Sequence, residues 1–185
     1  MKKQCLFIHS AGPQGPHEGS DDFITFLQKA VGTDYDLLCP KMPDPGQPNY
    51  AAWRNEVARA IATVPEDAVL MGHSLGGSVL LKYLAEEAVD KRFAALFIVA
   101  SPYWGGDSDW SYSEFTLPED FAAKLPPIGQ IFIYHSRDDE VVPERHAALY
   151  AEKLPQAILR ELDHSGHAFT QGAPELVTDL ESLVK

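Results

Sequence analysis

The sequence predicts an α/β fold: a three-layer α/β/α sandwich in which helices cover both faces of a mostly parallel sheet of about six strands. Three observations carry that expectation. Short runs of Val, Ile, Leu and Phe, bounded by turn residues and too compact for helices, read as strands buried on both faces. Segments with helical periodicity lie between them. Strand and helix alternate throughout, and antiparallel hairpins would need no intervening helix, so right-handed parallel crossovers follow.

In chain order, strands are expected at Gln4–His9 (QCLFIH), Tyr35–Cys39 (YDLLC), Ala68–Gly72 (AVLMG), Ala94–Ala100 (AALFIVA), Ile131–His135 (IFIYH) and Ala157–Leu162 (AILREL). Helices are expected at Asp21–Val31, Tyr50–Val64, Gly76–Ala88, Pro143–Leu154 and Pro174–Val184. Three stretches break the pattern. Ser10–Ser20 and Pro40–Asn49 are rich in Gly and Pro and follow strands, which makes them loops. Ser101–Pro118 carries Tyr103, Trp104, Trp110, Tyr112 and Phe115, which form either a satellite core pinning a long loop or a short aromatic cover over a pocket. Ligands of such sheets sit beyond the carboxyl ends of the strands, so these loops are where function is expected.

At 185 residues the chain fits a single domain spanning 1–185. It is 45% hydrophobic and 23% charged, too apolar to remain disordered. Its net charge of −12 repels nucleic acid and anionic membrane surfaces, so neither is an expected partner. A small molecule is expected instead, and the sequence reads a protein partner neither in nor out. No apolar run approaches the roughly 18 residues of a spanning helix. The apolar stretch near the N-terminus is too short for a signal peptide, so the expected compartment is the cytoplasm. Cys5 and Cys39 are too few for a disulfide framework and read as small buried hydrophobes.

The third strand runs into Gly72-His73-Ser74-Leu75-Gly76-Gly77, a G-x-S-x-G pattern between a strand and a helix. A serine on so tight a turn is strained, and its flanks crowd together, so residues without Cβ are needed at Gly72 and Gly76. The turn would lift the Ser74 hydroxyl from the sheet to a helix N-terminus, where the Leu75 amide could meet developing negative charge. His73, inside the turn, reads as a packing or pocket-wall residue.

Serine needs an imidazole within reach and an acid to orient it. Beyond the fifth strand lie Asp138, Asp139 and Glu140, and beyond the sixth lie His164 and His167, so the order along the chain is Ser, Asp, His. His9 and His135 end strands and read as structural, with imidazoles bonded to nearby backbone.

Together, FIHSAG after the first strand, KMPDP at 41–45, GHSLGG at 72–77, HSRDDEVVP at 135–143 and SGH at 165–167 resemble an α/β-hydrolase. The resemblance is to the small capless serine hydrolases of the retinoblastoma-binding protein 9 and YdeN group, and it covers nearly the whole chain. It implies a truncated hydrolase sheet without a large cap. It maps the acid onto Asp139, four residues before the turn proline, and the base onto His167. It also implies a second oxyanion donor at the Ala11 amide, where Ser10 replaces the usual glycine of the loop. The implied reaction is carboxylester hydrolysis through a Ser74-His167-Asp139 triad and an acyl-enzyme, acting on small ester or acyl substrates. Tyr103, Trp104 and Trp110, with His73, are the expected substrate wall.

No cofactor or metal is expected. Loop 10–20 lacks both phosphate-binding glycine patterns, and Pro13 and Pro16 remove amide donors. His164-x-x-His167 with Asp163 has a glycine inside the spacing and no helix to converge the imidazoles. The competing reading is a hydrolase-fold protein that acts mainly by binding other proteins.

Overall fold

The computed structural model describes residues 2–106 and 108–184; Asp107, inside the predicted 101–118 loop, and the two terminal residues lie outside the described residues. Six strands, β1 (Lys3–Ile8), β2 (Tyr35–Leu38), β3 (Val69–His73), β4 (Phe93–Val99), β5 (Ile128–Ser136) and β6 (Ile158–Leu162), form one sheet in the order β2-β1-β3-β4-β5-β6. Every neighbouring pair is parallel. The helices are α1 (Asp21–Val31), α2 (Tyr50–Thr63), α3 (Leu75–Glu86), α4 (Phe121–Lys124), α5 (Arg145–Lys153) and α6 (Pro174–Ser182).

The strands are continuously apolar because alternate side chains serve two cores. On one face, Leu6, Ile8, Leu70, Leu96, Ile98 and Ile133 pack with Trp53, Val57 and Ile61 of α2, with α3, and with Tyr150 of α5. On the other, Phe7, Met71, Phe97 and Phe132 meet Phe23, Leu27 and Val31 of α1 and Leu176 and Leu180 of α6. Helix starts follow local chemistry. Asn49 caps α2 by accepting from the Ala52 amide, and Pro174 opens α6, where no amide donor is needed. Helix α3 is buried along almost its whole length, Leu75 to Ala85, at the centre of the sheet.

Three differences from the sequence expectation have physical causes. Strand β5 begins at Ile128, three residues early, because Ile128 and Gln130 already pair with Phe93 and Ala95 of β4. Gly129 and Gln130 hide that start in an apolar pattern. Helix α5 begins at Arg145 rather than Pro143, whose carbonyl instead accepts from the His146 amide in a preceding turn. The unexpected α4 is a single turn anchored by the buried Phe121, too short to register as periodicity. No helix among the described residues is long and apolar enough to cross a membrane.

Candidate active site

Strand β3 ends at His73 and α3 starts at Leu75, so Ser74 alone makes the turn, with φ 53° and ψ −126°. That backbone is strained for a residue with a Cβ. The surroundings enforce it. A Cβ on Gly72 would collide with the backbone of Gly77, and one on Gly76 with the carbonyls of Ile8 and His9 at the end of β1. The crowding partner of Gly72 is thus Gly77 more than Gly76, which instead presses the new helix onto β1. The doubled glycine of GHSLGG was the signal for it.

Ser74 Oγ lies 3.0 Å from His167 Nε2, and His167 Nδ1 lies 2.9 and 3.0 Å from the two carboxylate oxygens of Asp139. A carboxylate only accepts, so Nδ1 carries the proton and Nε2 is free to accept the Ser74 hydrogen. The Asp139 side chain is wholly buried. Burial alone would raise its pKa, but the hydrogen bond and charge of His167 and the amides of Val141 and Val142 hold it below the usual carboxylate range. His135, buried beside it, bonds to the Val142 carbonyl at 2.8 Å.

The loop bearing His167 is gripped on several sides. Asp138 accepts from Ser136 Oγ and from the Gly166 amide at 2.9 Å, Ser136 Oγ accepts from the Ser165 amide, and Glu140 accepts from the His167 amide. Three successive carboxylates therefore divide the work, with the middle one on the imidazole and its neighbours on the backbone. His164 remains exposed at the loop surface.

His73 does not border the cleft. Its ring is buried, with Nε2 2.8 Å from the His167 carbonyl and Nδ1 2.8 Å from Ser20 Oγ. Nε2 donates to the carbonyl, so Nδ1 accepts from Ser20. Ser20 Oγ in turn accepts from the Ser10 amide of the β1 loop. One side chain thus ties together the loop holding Ala11, the nucleophile turn and the histidine loop. Burial, and then the neighbouring His167, push the His73 pKa down to about 3. His9 differs from expectation: its Nδ1 is buried without a hydrogen-bond partner among the described residues, and its ring packs edge-on against Phe7.

Ser74 opens into a cleft of about 460 Å³ lined by Ala11, Leu75, Trp104, Trp110, Tyr112 and Phe115, among others. The amides of Leu75 and Ala11 donate to no protein acceptor among the described residues. Trp104 is the hub of the aromatic cluster, with ring centroids 5.1 Å from Trp110, 5.8 Å from Tyr112 and 5.5 Å from Phe115. The two readings of the 101–118 loop therefore both hold, each for different residues. Tyr103 turns away from the cleft to pack on Tyr150 and Phe121, while its amide donates to buried His146. Glu114, Gln47 and Val141 also line the cleft, and sequence reasoning missed them. The metal-like grouping of His17, Asp21 and Asp22 lies outside it, and its internal hydrogen bonds read as a staple onto the start of α1.

The family profile for serine hydrolases matches residues 25–173. The chain belongs to the serine hydrolase family. This serine hydrolase is 26% identical over 171 residues, 90% of its length and 86% of the other, to YdeN of Bacillus subtilis (strain 168), a hydrolase by name. The solved structure of the B. subtilis ydeN gene product superposes with a TM-score of 0.80 at 21% identity, covering 98% of both chains. Est1E from Butyrivibrio proteoclasticus superposes with a TM-score of 0.73 at 17% identity over 100% of this chain and 89% of that one. These likenesses establish the α/β-hydrolase fold.

Proposed function

We propose that this serine hydrolase is a carboxylesterase that cleaves small ester or related acyl substrates through Ser74, His167 and Asp139. The observation that carries the reading is the unbroken line of hydrogen bonds from Ser74 Oγ through His167 to a buried, ionised Asp139. As Ser74 attacks the substrate carbonyl, its proton passes to His167 Nε2 and the Asp139 carboxylate stabilises the imidazolium. The Leu75 and Ala11 amides, with no protein acceptor among the described residues, receive the oxyanion. His167 then returns the proton to the leaving alcohol, and water repeats the attack on the acyl-enzyme. The solved esterase PE8 shares the fold, and the aromatic cleft suits an apolar acyl or leaving group.

The test is a fluorophosphonate probe with a panel of p-nitrophenyl esters. Labelling and turnover that vanish in Ser74→Ala support the reading. A folded wild-type protein that neither labels nor turns over any ester at neutral pH refutes it and favours a binding role.

A further inference from the structure

The cleft beside Ser74 has an uneven charge. Its lining contains four aromatic rings, Trp104, Trp110, Tyr112 and Phe115, and one carboxylate, Glu114, but no lysine or arginine. Glu114 Oε2 accepts from the Tyr50 amide at the first turn of α2, at 2.9 Å, which fixes the carboxylate at the mouth. Oε1 has no partner, and no cation pairs with Glu114 among the described residues. Lys82, which packs under this segment, is already engaged. Its ammonium lies 2.6 Å from the Thr116 carbonyl, 3.0 Å from Glu86 and 4.9 Å from the centre of the Tyr50 ring.

A carboxylate held beside aromatic rings attracts cations twice, through its own charge and through the negative faces of the rings. Away from the Leu75 and Ala11 amides beside Ser74, the same arrangement offers an anion no positively charged side chain, and the chain's net charge of −12 adds to the repulsion. We infer that the cleft takes acyl compounds with an apolar, aromatic-sized body carrying a positive charge, such as an ammonium group, and rejects carboxylate-bearing ones, with Glu114 setting the preference. This rests on the reading of the cleft as the acyl site and adds its charge selectivity. Glu114 acts on binding and touches no reacting atom.

The experiment compares p-nitrophenyl esters of phenylacetic acid bearing para trimethylammonium, tert-butyl or carboxylate groups, the first two being matched in shape. In the wild type, kcat/KM should fall in the order cation, neutral, anion, with cation over anion by about tenfold or more at low salt. Added salt should shrink that ratio, and Glu114→Gln should reduce it to about two- to threefold. An anionic ester turned over as well as the cationic one, or a ratio that Glu114→Gln leaves unaltered, overturns the inference. A parallel titration reads binding without turnover. Quenching of Trp104 and Trp110 fluorescence in Ser74→Ala by phenyltrimethylammonium, tert-butylbenzene and benzoate should follow the same order. Failure of all three esters with the binding order intact would count against the catalytic reading alone, whereas equal binding of the three probes would sink the charge preference.

Discussion

Replacing His73 by glutamine should flatten the loss of stability that this protein suffers as acid is added. His73 is buried and held neutral, with a pKa of about 3 in the fold, against about 6.5 for an exposed histidine. Between those values the unfolded chain takes up a proton that the folded one refuses, so stability falls with falling pH. Below pH 6.5 the cost approaches about 1.4 kcal/mol for each pH unit, or about 3 kcal/mol by pH 4.5. That is a large share of the roughly 5–15 kcal/mol that holds a typical domain together.

The groups facing His73 do not obscure the measurement. His167, Asp139 and His9 are all present in both proteins. The depressed carboxylates Asp120, Asp138 and Asp139 lend stability above the unfolded carboxylate pKa of about 4 and lose it below, outside a window of pH 4.5–6.5. Urea unfolding followed by circular dichroism across that window should therefore give a slope against pH that is shallower by about one proton in His73→Gln. The comparison is of slopes, so any fixed cost of repacking the site cancels. Parallel slopes in the two proteins would show that His73 is not a buried neutral imidazole, and the network drawn from Ser20 to His167 would fall with it.

Further predictions address the rest of the site and its frame. Asp139→Asn should lower kcat by about 10³- to 10⁴-fold, and Asp138→Asn, which loosens only the loop backbone, by about tenfold or less, both read with a p-nitrophenyl ester. The reverse order would transfer the role of the acid to Asp138. Gly77→Ala should destabilise the fold by about 1–3 kcal/mol, because its Cβ would strike the Ser101 side chain and crowd the Gly72 carbonyl, and thermal melting reads the loss. Tyr134→Phe removes a hydroxyl 2.5 Å from Asp179, a carboxylate that Arg160 also holds. It should cost about 1 kcal/mol in urea and leave ester turnover unchanged, since α6 and the far face of the sheet lie away from the cleft.

What the sequence made legible was whatever has a short-range signature. Buried parallel strands show as unbroken apolar runs, so all six appeared within a few residues of their observed ends. The nucleophile turn showed because its crowding excludes Cβ atoms at positions adjacent in sequence. The cleft did not show in the same way. Tyr103 and Trp104 are neighbours in the chain, yet the first joins the core under α5 and the second lines the cleft. Composition alone could not separate them, because the loop has no period to assign its faces. Glu114 reads as an ordinary surface acid until the fold brings it to the start of α2, sixty-four positions from its partner Tyr50.

His73 is the instructive intermediate case. Its position inside the turn marked it for attention, and a pocket wall was a fair expectation for a side chain next to the nucleophile. The turn, however, sends successive side chains in opposite directions. Ser74 rises toward solvent while His73 goes down among Phe23 and Phe169. A polar ring buried there must be satisfied, and the donors and acceptors within reach are those of Ser20 and the His167 backbone. The strained turn that lifts Ser74 thereby also fixes the loop backbone that carries His167. In this fold, the turn and the histidine loop are held to each other by the hydrogen bond from the His73 ring to the His167 carbonyl, independently of any contact between Ser74 and His167. Ser74→Ala should accordingly leave the His167 loop in place, a condition on which its use as a binding-competent control depends.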